Sequence, residues 1–183
     1  MIALARHGET TWNTERRFQG NLDAEVPLND RGREQARELA ELAAAQDPPF
    51  VALYASPLAR ARETAEIVGA RLGLQPRYDD RLKESDTGDW TGRYKADIER
   101  DEPKTWARYL AAGDDWAFPG GESLEEQMER VIAALVDITQ AHELPALVVC
   151  HRGVIRCALA HTHNRGLDTY HEWTIPNGEL VRL

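Results

Sequence analysis

The sequence predicts a three-layer α/β/α domain, with helices on both faces of a mostly parallel central sheet and all of residues 1–183 in one unit. Three observations carry that expectation. Short apolar runs at 2–5, 50–55 and 146–150 have the length and continuity of strands buried on both faces. Each is followed, directly or after a loop, by a stretch with helical apolar period. No repeat, low-complexity segment or linker divides the chain.

Taken in order, the first run ends at Arg6-His7-Gly8, polar residues delivered at the C-terminal end of a strand. A polar loop is expected to about Leu28. From Asp30, an apolar stripe of Ala36, Leu39, Ala40, Leu42 and Ala43 opposes Glu, Arg and Gln, and Pro48-Pro49 closes the helix. The run at 50–55 is the second strand. Ser56-Pro57 is expected to cap a helix through Leu72, with Gly73 just beyond its end. A short strand at 75–78 and an irregular loop at 82–92 follow, the loop carrying Glu84, Gly88, Trp90 and Gly92, and a helical region runs to about Ala112. After the turn Pro119-Gly120-Gly121, Ser123 and Glu126 form a capping box for a long amphipathic helix bearing Leu124, Met128, Val131, Leu135 and Ile138. The run at 146–150 again ends in a histidine, His151-Arg152-Gly153, before a helix through Ala160. Segments 171–175 and 179–183 are expected to close the sheet as a strand pair around Pro176-Asn177-Gly178.

Composition narrows the function. A net charge of -9 argues against a sequence-independent nucleic-acid binder or a protein that adheres to anionic membranes. Any anionic ligand must then be held by a local basic cluster. No apolar run reaches the ~18 residues of a membrane span. Ile2 to Ala5 is too short for a signal-peptide core, so a cytoplasmic protein is expected. Cys150 and Cys157 match no zinc spacing and no disulfide framework, and read as small buried hydrophobes.

Parallel strands joined by right-handed crossovers present their C-terminal ends on one edge, beside which ligands bind. His7 and His151 are therefore expected to face one cleft. Gly8 and Gly153 would let backbone N–H groups approach an anion there, and the helix starting near Gly153 adds the positive end of its dipole. Arg60, in the first turn of a helix at the same edge, can reach the cleft. With Arg6 these make a compact cationic pocket suited to phosphoryl transfer, which depends on positioning and on neutralising equatorial oxygens. A neutral imidazole can attack phosphorus itself, and the leaving alkoxide needs a proton, for which Glu84 is the candidate donor.

Arg6-His7-Gly8-Glu9-Thr10 with Trp12-Asn13 resembles the R-H-G-E-T-x-W-N signature of the histidine phosphatase superfamily, in the phosphoglycerate mutase-like branch that holds both mutases and broad-specificity phosphatases. Further segments are similar in the family's order: Phe18-Gln19-Gly20; Pro27-Leu28-Asn29 with Gly32 and Gln35-Ala36; the helix start at Ser56, Leu58 and Arg60; and the Glu84 loop. Pro119-Gly120-Gly121-Glu122-Ser123 and Val149-Cys150-His151-Arg152-Gly153 complete the likeness. The resemblance implies a phosphoglycerate mutase-like fold, His7 as phospho-acceptor, Arg6, Arg60 and His151 on the phosphoryl group, Glu84 as proton donor, Asn13 in the phosphate pocket, and Gln19 and Gly20 on the substrate side. It implies no cofactor and no metal.

Two departures stand out. Between Asp23 and Pro27 the family usually has fewer residues, which predicts a reshaped loop over the substrate. Arg152 stands where glycine is usual, adding a cation beside the phosphate site. Mutases of the family carry an insertion before the long helix, whereas 26 residues separate Gly92 from Pro119 here. Brevity favours hydrolysis of a small phosphate ester through a phosphohistidine. The alternatives are a phosphoglycerate mutase and, less favoured, a noncatalytic phospho-ligand binder. The expected partner is the small-molecule ester, with no nucleic acid and no membrane, and a homodimer is left open, as is the identity of the ester.

The remaining polar residues are assigned blander roles. Arg62 reads as surface or structural, and Glu9 as a partner of an arginine. His161, His163 and His171 lack a carboxylate or cysteine to complete a metal set. Trp90, Trp106, Trp116 and Trp173 read as packing residues under loops, with Trp116 a candidate for the cleft mouth.

Overall fold

The computed structural model describes residues 1–21 and 26–183. Its strands are β1 Ile2–Arg6, β2 Ala52–Ala55, β3 Pro76–Tyr78, β4 Ala146–Cys150 and β5 Leu180–Arg182. They form one sheet in the order β3-β2-β4-β1-β5. All neighbours are parallel except β5, which joins β1 antiparallel at the edge. The helices are α1 Thr11–Thr14, α2 Asp30–Ala44, α3 Ala59–Leu72, α4 Lys95–Asp101, α5 Pro103–Ala111, α6 Leu124–Gln140 and α7 Arg152–Thr162.

Period-2 alternation along the central strands creates the three layers. Ile2, Leu4, Val148 and Cys150 pack on one face with Val131, Leu135 and Ile138 of α6 and Val154, Ile155 and Ala158 of α7. Ala3, Ala5, Leu147 and Val149 face the other way, onto Leu39, Ala40 and Ala43 of α2 and Ala61, Ala65 and Val68 of α3. Burying each Val, Ile or Leu contributes about 1.5 to 3 kcal/mol, so the two faces together fix the strand order and register. A third cluster holds the aromatics: Phe18, Trp90, Tyr109, Trp116, Phe118 and Tyr170 pack together among the connecting loops and short helices. Its centre, Trp90, is fully buried, stands edge-on to Tyr109 at 5.5 Å, and donates its indole N–H to Glu102 at 3.0 Å.

The Ser123–Glu126 capping box forms as the sequence predicts, and Gly73 ends α3 at φ 70°. Four elements differ. The loop after β1 contains α1, because Thr10 and Asn13 cap one another reciprocally. The helical region before residue 112 is two helices, broken at Glu102, whose φ of -130° and ψ of 51° lie outside the helical region that Pro103 disfavours for the residue before it. Ser56 does not cap α3; the N-cap is Leu58, and the Ser56 hydroxyl turns to His151. The expected strand at 171–175 does not form. Its carbonyls are taken by arginines instead: Trp173 O accepts from Arg156 Nε and Nη2 at 3.0 and 2.9 Å, and Ile175 O accepts from Arg6 Nη1 at 2.6 Å. The reshaped loop expected between Asp23 and Pro27 falls largely on residues 22–25, outside the described residues.

Candidate active site

β1 and β4 pair in register, Arg6 opposite Cys150, so the chain leaves both strands at one point of the sheet edge. The His7 N–H donates to Cys150 O at 3.0 Å, and the rings of His7 and His151 stand 5.1 Å apart. His7 Nδ1 lies 2.7 Å from Gly8 O. A carbonyl only accepts, so Nδ1 carries the proton and Nε2 keeps the lone pair. Arg60 Nε donates to that lone pair at 3.3 Å. Burial, reinforced by Arg60 and Arg6, holds His7 well below the usual imidazole value, so the ring is neutral at neutral pH. His151 is held low by the same causes, burial first, and its Nε2 lies 2.8 Å from Ser56 Oγ.

The two arginines are fixed by backbone carbonyls. Arg60 Nη2 donates to Gly20 O at 2.9 Å, and Arg6 Nη1 is held by Ile175 O. Burial pulls Arg6 down to about 9, helped by Arg152, and Arg60 to about 10, so both stay charged at neutral pH. Arg6 Nε, Arg60 Nη1 and His151 Nδ1 are buried without a hydrogen-bond partner among the described residues. The two guanidinium donors cost stability until an acceptor arrives, and the oxygens of a phosphoryl group are acceptors of the right charge.

Glu84 enters from the loop between β3 and α4. Its Oε1 accepts the Ser85 N–H at 3.0 Å and Gln127 Nε2 at 3.2 Å, while Oε2 accepts the Gly153 N–H at 3.3 Å from the first turn of α7. A Cβ on Gly153 would overlap Glu84 Oε1, so glycine is required for this close approach. Arg130 of α6 anchors the loop by donating to the carbonyls of Arg81, Lys83 and Glu84 while paired with Glu122.

These groups line a cavity of about 340 Å³. Of the residues singled out in the sequence, Arg6, His7, Asn13, Gln19, Gly20, Arg60, Glu84 and Arg152 reach its wall. His151 does not line it; the ring is fully buried beside His7 and Ser56. Gly8 corrects an expectation. Its N–H donates to Thr64 Oγ1 at 3.1 Å, and its missing Cβ makes room for Gly32 of α2, so it offers no donor to an anion. Among the described residues Glu9 has no arginine partner; it accepts from Asn29 Nδ2 at 3.1 Å. Trp116 is buried in the aromatic cluster, and Tyr109, Phe118 and Tyr170 form the apolar wall in its place. His161 and His163 are exposed near the end of α7, while His171 Nε2 lies 2.8 Å from Tyr109 O. Among the described residues no group of three or more His, Cys, Asp or Glu is gathered to hold a metal.

Sequence reading missed Lys95, Arg156 and Asn177. Lys95 lines the cavity and is pulled down to about 7 by burial and by Arg152, Arg6 and Arg156. Asn177 Nδ2 donates to His7 O at 3.0 Å and to Asn13 Oδ1 at 3.2 Å, tying the closing loop to the nucleophile's backbone. Only the Pro176-Asn177-Gly178 turn signal marked that position, and a turn signal carries no address. The outcome is a neutral imidazole with an aimed lone pair, cations around it and a carboxyl group on the same cavity wall.

The chain as a whole is similar to proteins of known sequence and structure. The chain is 38% identical over 172 residues, 93% of its own length and 77% of the relative's, to a protein of Enterobacter sp. (strain 638) named "Probable phosphoglycerate mutase GpmB". The solved mycobacterial glucosyl-3-phosphoglycerate phosphatase is 29% identical, with TM-score 0.88 over 98% of this chain and 88% of that one. The alpha-ribazole phosphatase of Shigella flexneri is 28% identical, with TM-score 0.82 over 98% and 87%. The pattern of the histidine phosphatase superfamily (branch 1) matches residues 2–183, and with the fold and the paired histidines in place, the chain belongs to that superfamily.

Proposed function

We propose that the protein is a phosphomonoesterase that hydrolyses a small phosphate ester through a phosphohistidine at His7. The observation that carries this reading is the His7 tautomer: Nδ1 tied to Gly8 O, Nε2 bearing the lone pair, and burial keeping the ring neutral. Nε2 attacks phosphorus and the ester P–O bond breaks. Glu84 gives its proton to the leaving alkoxide, while Arg6 Nε and Arg60 Nη1 take the equatorial oxygens and His151 supports the same group. Water then attacks phosphorus, Glu84 accepts its proton, the P–N bond breaks with its electron pair returning to His7 Nε2, and inorganic phosphate leaves. Asn13, Gln19 and Gly20 shape the substrate side, and Arg152 lies at the mouth.

These side chains supply the charge neutralisation themselves, so EDTA is expected to leave the rate unchanged. Activity abolished by chelation and restored by one divalent ion would contradict that. Two buried free thiols, Cys150 and Cys157, suit a reducing cytoplasm. Among the described residues no helix is long and apolar enough to cross a membrane.

The mutase-named relative supports a second reading, transfer of the phosphoryl group back to a bound glycerate. One pair of assays separates the two: phosphate release from a panel of phosphate metabolites, and 2-phosphoglycerate formation from 3-phosphoglycerate primed with bisphosphoglycerate. Hydrolysis predicts release from several esters without isomerisation. Isomerisation without release would establish the mutase.

A further inference from the structure

The long helix α6 carries a polar residue where its pattern calls for an apolar one. Leu124, Val131, Ala134, Leu135 and Ile138 form its buried stripe, and Gln127 shares that stripe, fully buried. A buried amide persists only where its hydrogen bonds are made, and here they run to the Glu84 carboxyl. Gln127 Nε2 donates to Glu84 Oε1 at 3.2 Å, and Gln127 Oε1 accepts from Ser85 Oγ at 2.7 Å, with Cys157 Sγ 3.6 Å away. An amide oxygen turned toward a carboxylate would repel it, so the NH2 end faces Glu84 and the oxygen must take the Ser85 hydroxyl.

The consequence falls on the two oxygens of Glu84. Oε1 already accepts two donors, Gln127 Nε2 and the Ser85 N–H, whereas Oε2 accepts one, the longer bond from the Gly153 N–H. A proton on Oε1 would point at groups that are themselves donors. We infer that Gln127, oriented by Ser85, is a positioning residue that reserves Glu84 Oε2 as the single atom from which the leaving group takes its proton. The inference rests on the proposed acid role of Glu84.

The test is a double-mutant cycle on the intact protein with two substrates, an alkyl phosphate and p-nitrophenyl phosphate, whose leaving group departs without a proton. Gln127→Met keeps the volume and removes the amide. It is expected to lower kcat for the alkyl phosphate ~10-fold, with KM within about 2-fold and little change for p-nitrophenyl phosphate. In the Glu84→Gln background the same change is expected to have no further effect. Ser85→Ala, which leaves the helix untouched, is expected to repeat this pattern more weakly and covers the case in which Gln127→Met does not fold. Equal losses on both substrates, or full losses that persist in the Glu84→Gln background, would overturn the inference. If Glu84→Gln alone lowers both substrates equally, the acid assignment fails and the inference with it. If Glu84→Gln is selective for the alkyl phosphate while Gln127→Met and Ser85→Ala are not, the inference alone fails.

Discussion

At the scale of single residues, the division of labour between His7 and Glu84 turns on which step needs a proton. Attack by Nε2 needs none, because the His7 proton is on Nδ1, committed to Gly8 O. Expulsion of an alkoxide does. Glu84→Gln retains size and a donor but cannot transfer a proton, so alkyl phosphate turnover should fall by ~10² to 10⁴ while p-nitrophenyl phosphate turnover falls much less. A uniform loss would mean that Glu84 only orients the phosphate. His7, Arg6, Arg60 and Glu84 were legible in the sequence because strand ends, helix starts and short motifs carry both type and place. The tie of Ser56 to His151 and the roles of Asn177 and Gln127 were not, since they rest on long-range hydrogen bonds, and neither periodicity nor composition encodes partners 42 to 170 residues away.

Among the elements, α7 matters most to the site. It starts at Arg152, immediately after β4, and its first turn carries the Gly153 N–H that holds Glu84. Gly153→Ala must push the carboxyl group out of place, since the new Cβ overlaps Glu84 Oε1. We expect loss of alkyl phosphate turnover similar to Glu84→Gln with the fold retained, measured by kinetics beside circular dichroism. Normal turnover would show that the close contact is dispensable. Arg152 projects from the same turn into the cavity wall near Lys95 and Arg156. Arg152→Gly is expected to raise KM about 5-fold, ~1 kcal/mol for a half-exposed charge contact, for substrates with a second anionic group and to spare those without one. Equal effects on both kinds would make Arg152 structural. The strands and long helices were readable because their apolar periods match their geometry. The segment 171–175 was misread because its alternation is real but its carbonyls are claimed by Arg6 and Arg156, guanidinium groups that arrive from β1 and α7.

For the whole molecule, an exterior that makes the chain acidic, net charge -9, encloses a cationic cavity built around two buried neutral histidines. Those histidines link stability to pH. His7 and His151 take a proton near 6.5 when unfolded, but only well below that when folded. The contribution of these two groups to stability is therefore complete above about pH 6.5 and is lost as the pH drops toward the folded values, by roughly 1.4 kcal/mol per pH unit for each histidine. Urea unfolding at pH 7, 6 and 5 should show a shallower decline for His7→Gln than for the unmodified chain, and parallel declines would contradict the burial argument. The central claim is more direct: the phosphoryl group passes through His7. Brief incubation with ³²P-labelled substrate, quenched in alkali, should leave label on the protein that survives base and is lost in acid. His7→Ala should lose both the label and the turnover while remaining folded. Near-normal turnover in His7→Ala, or acid-labile, alkali-stable label that persists there, would contradict the account.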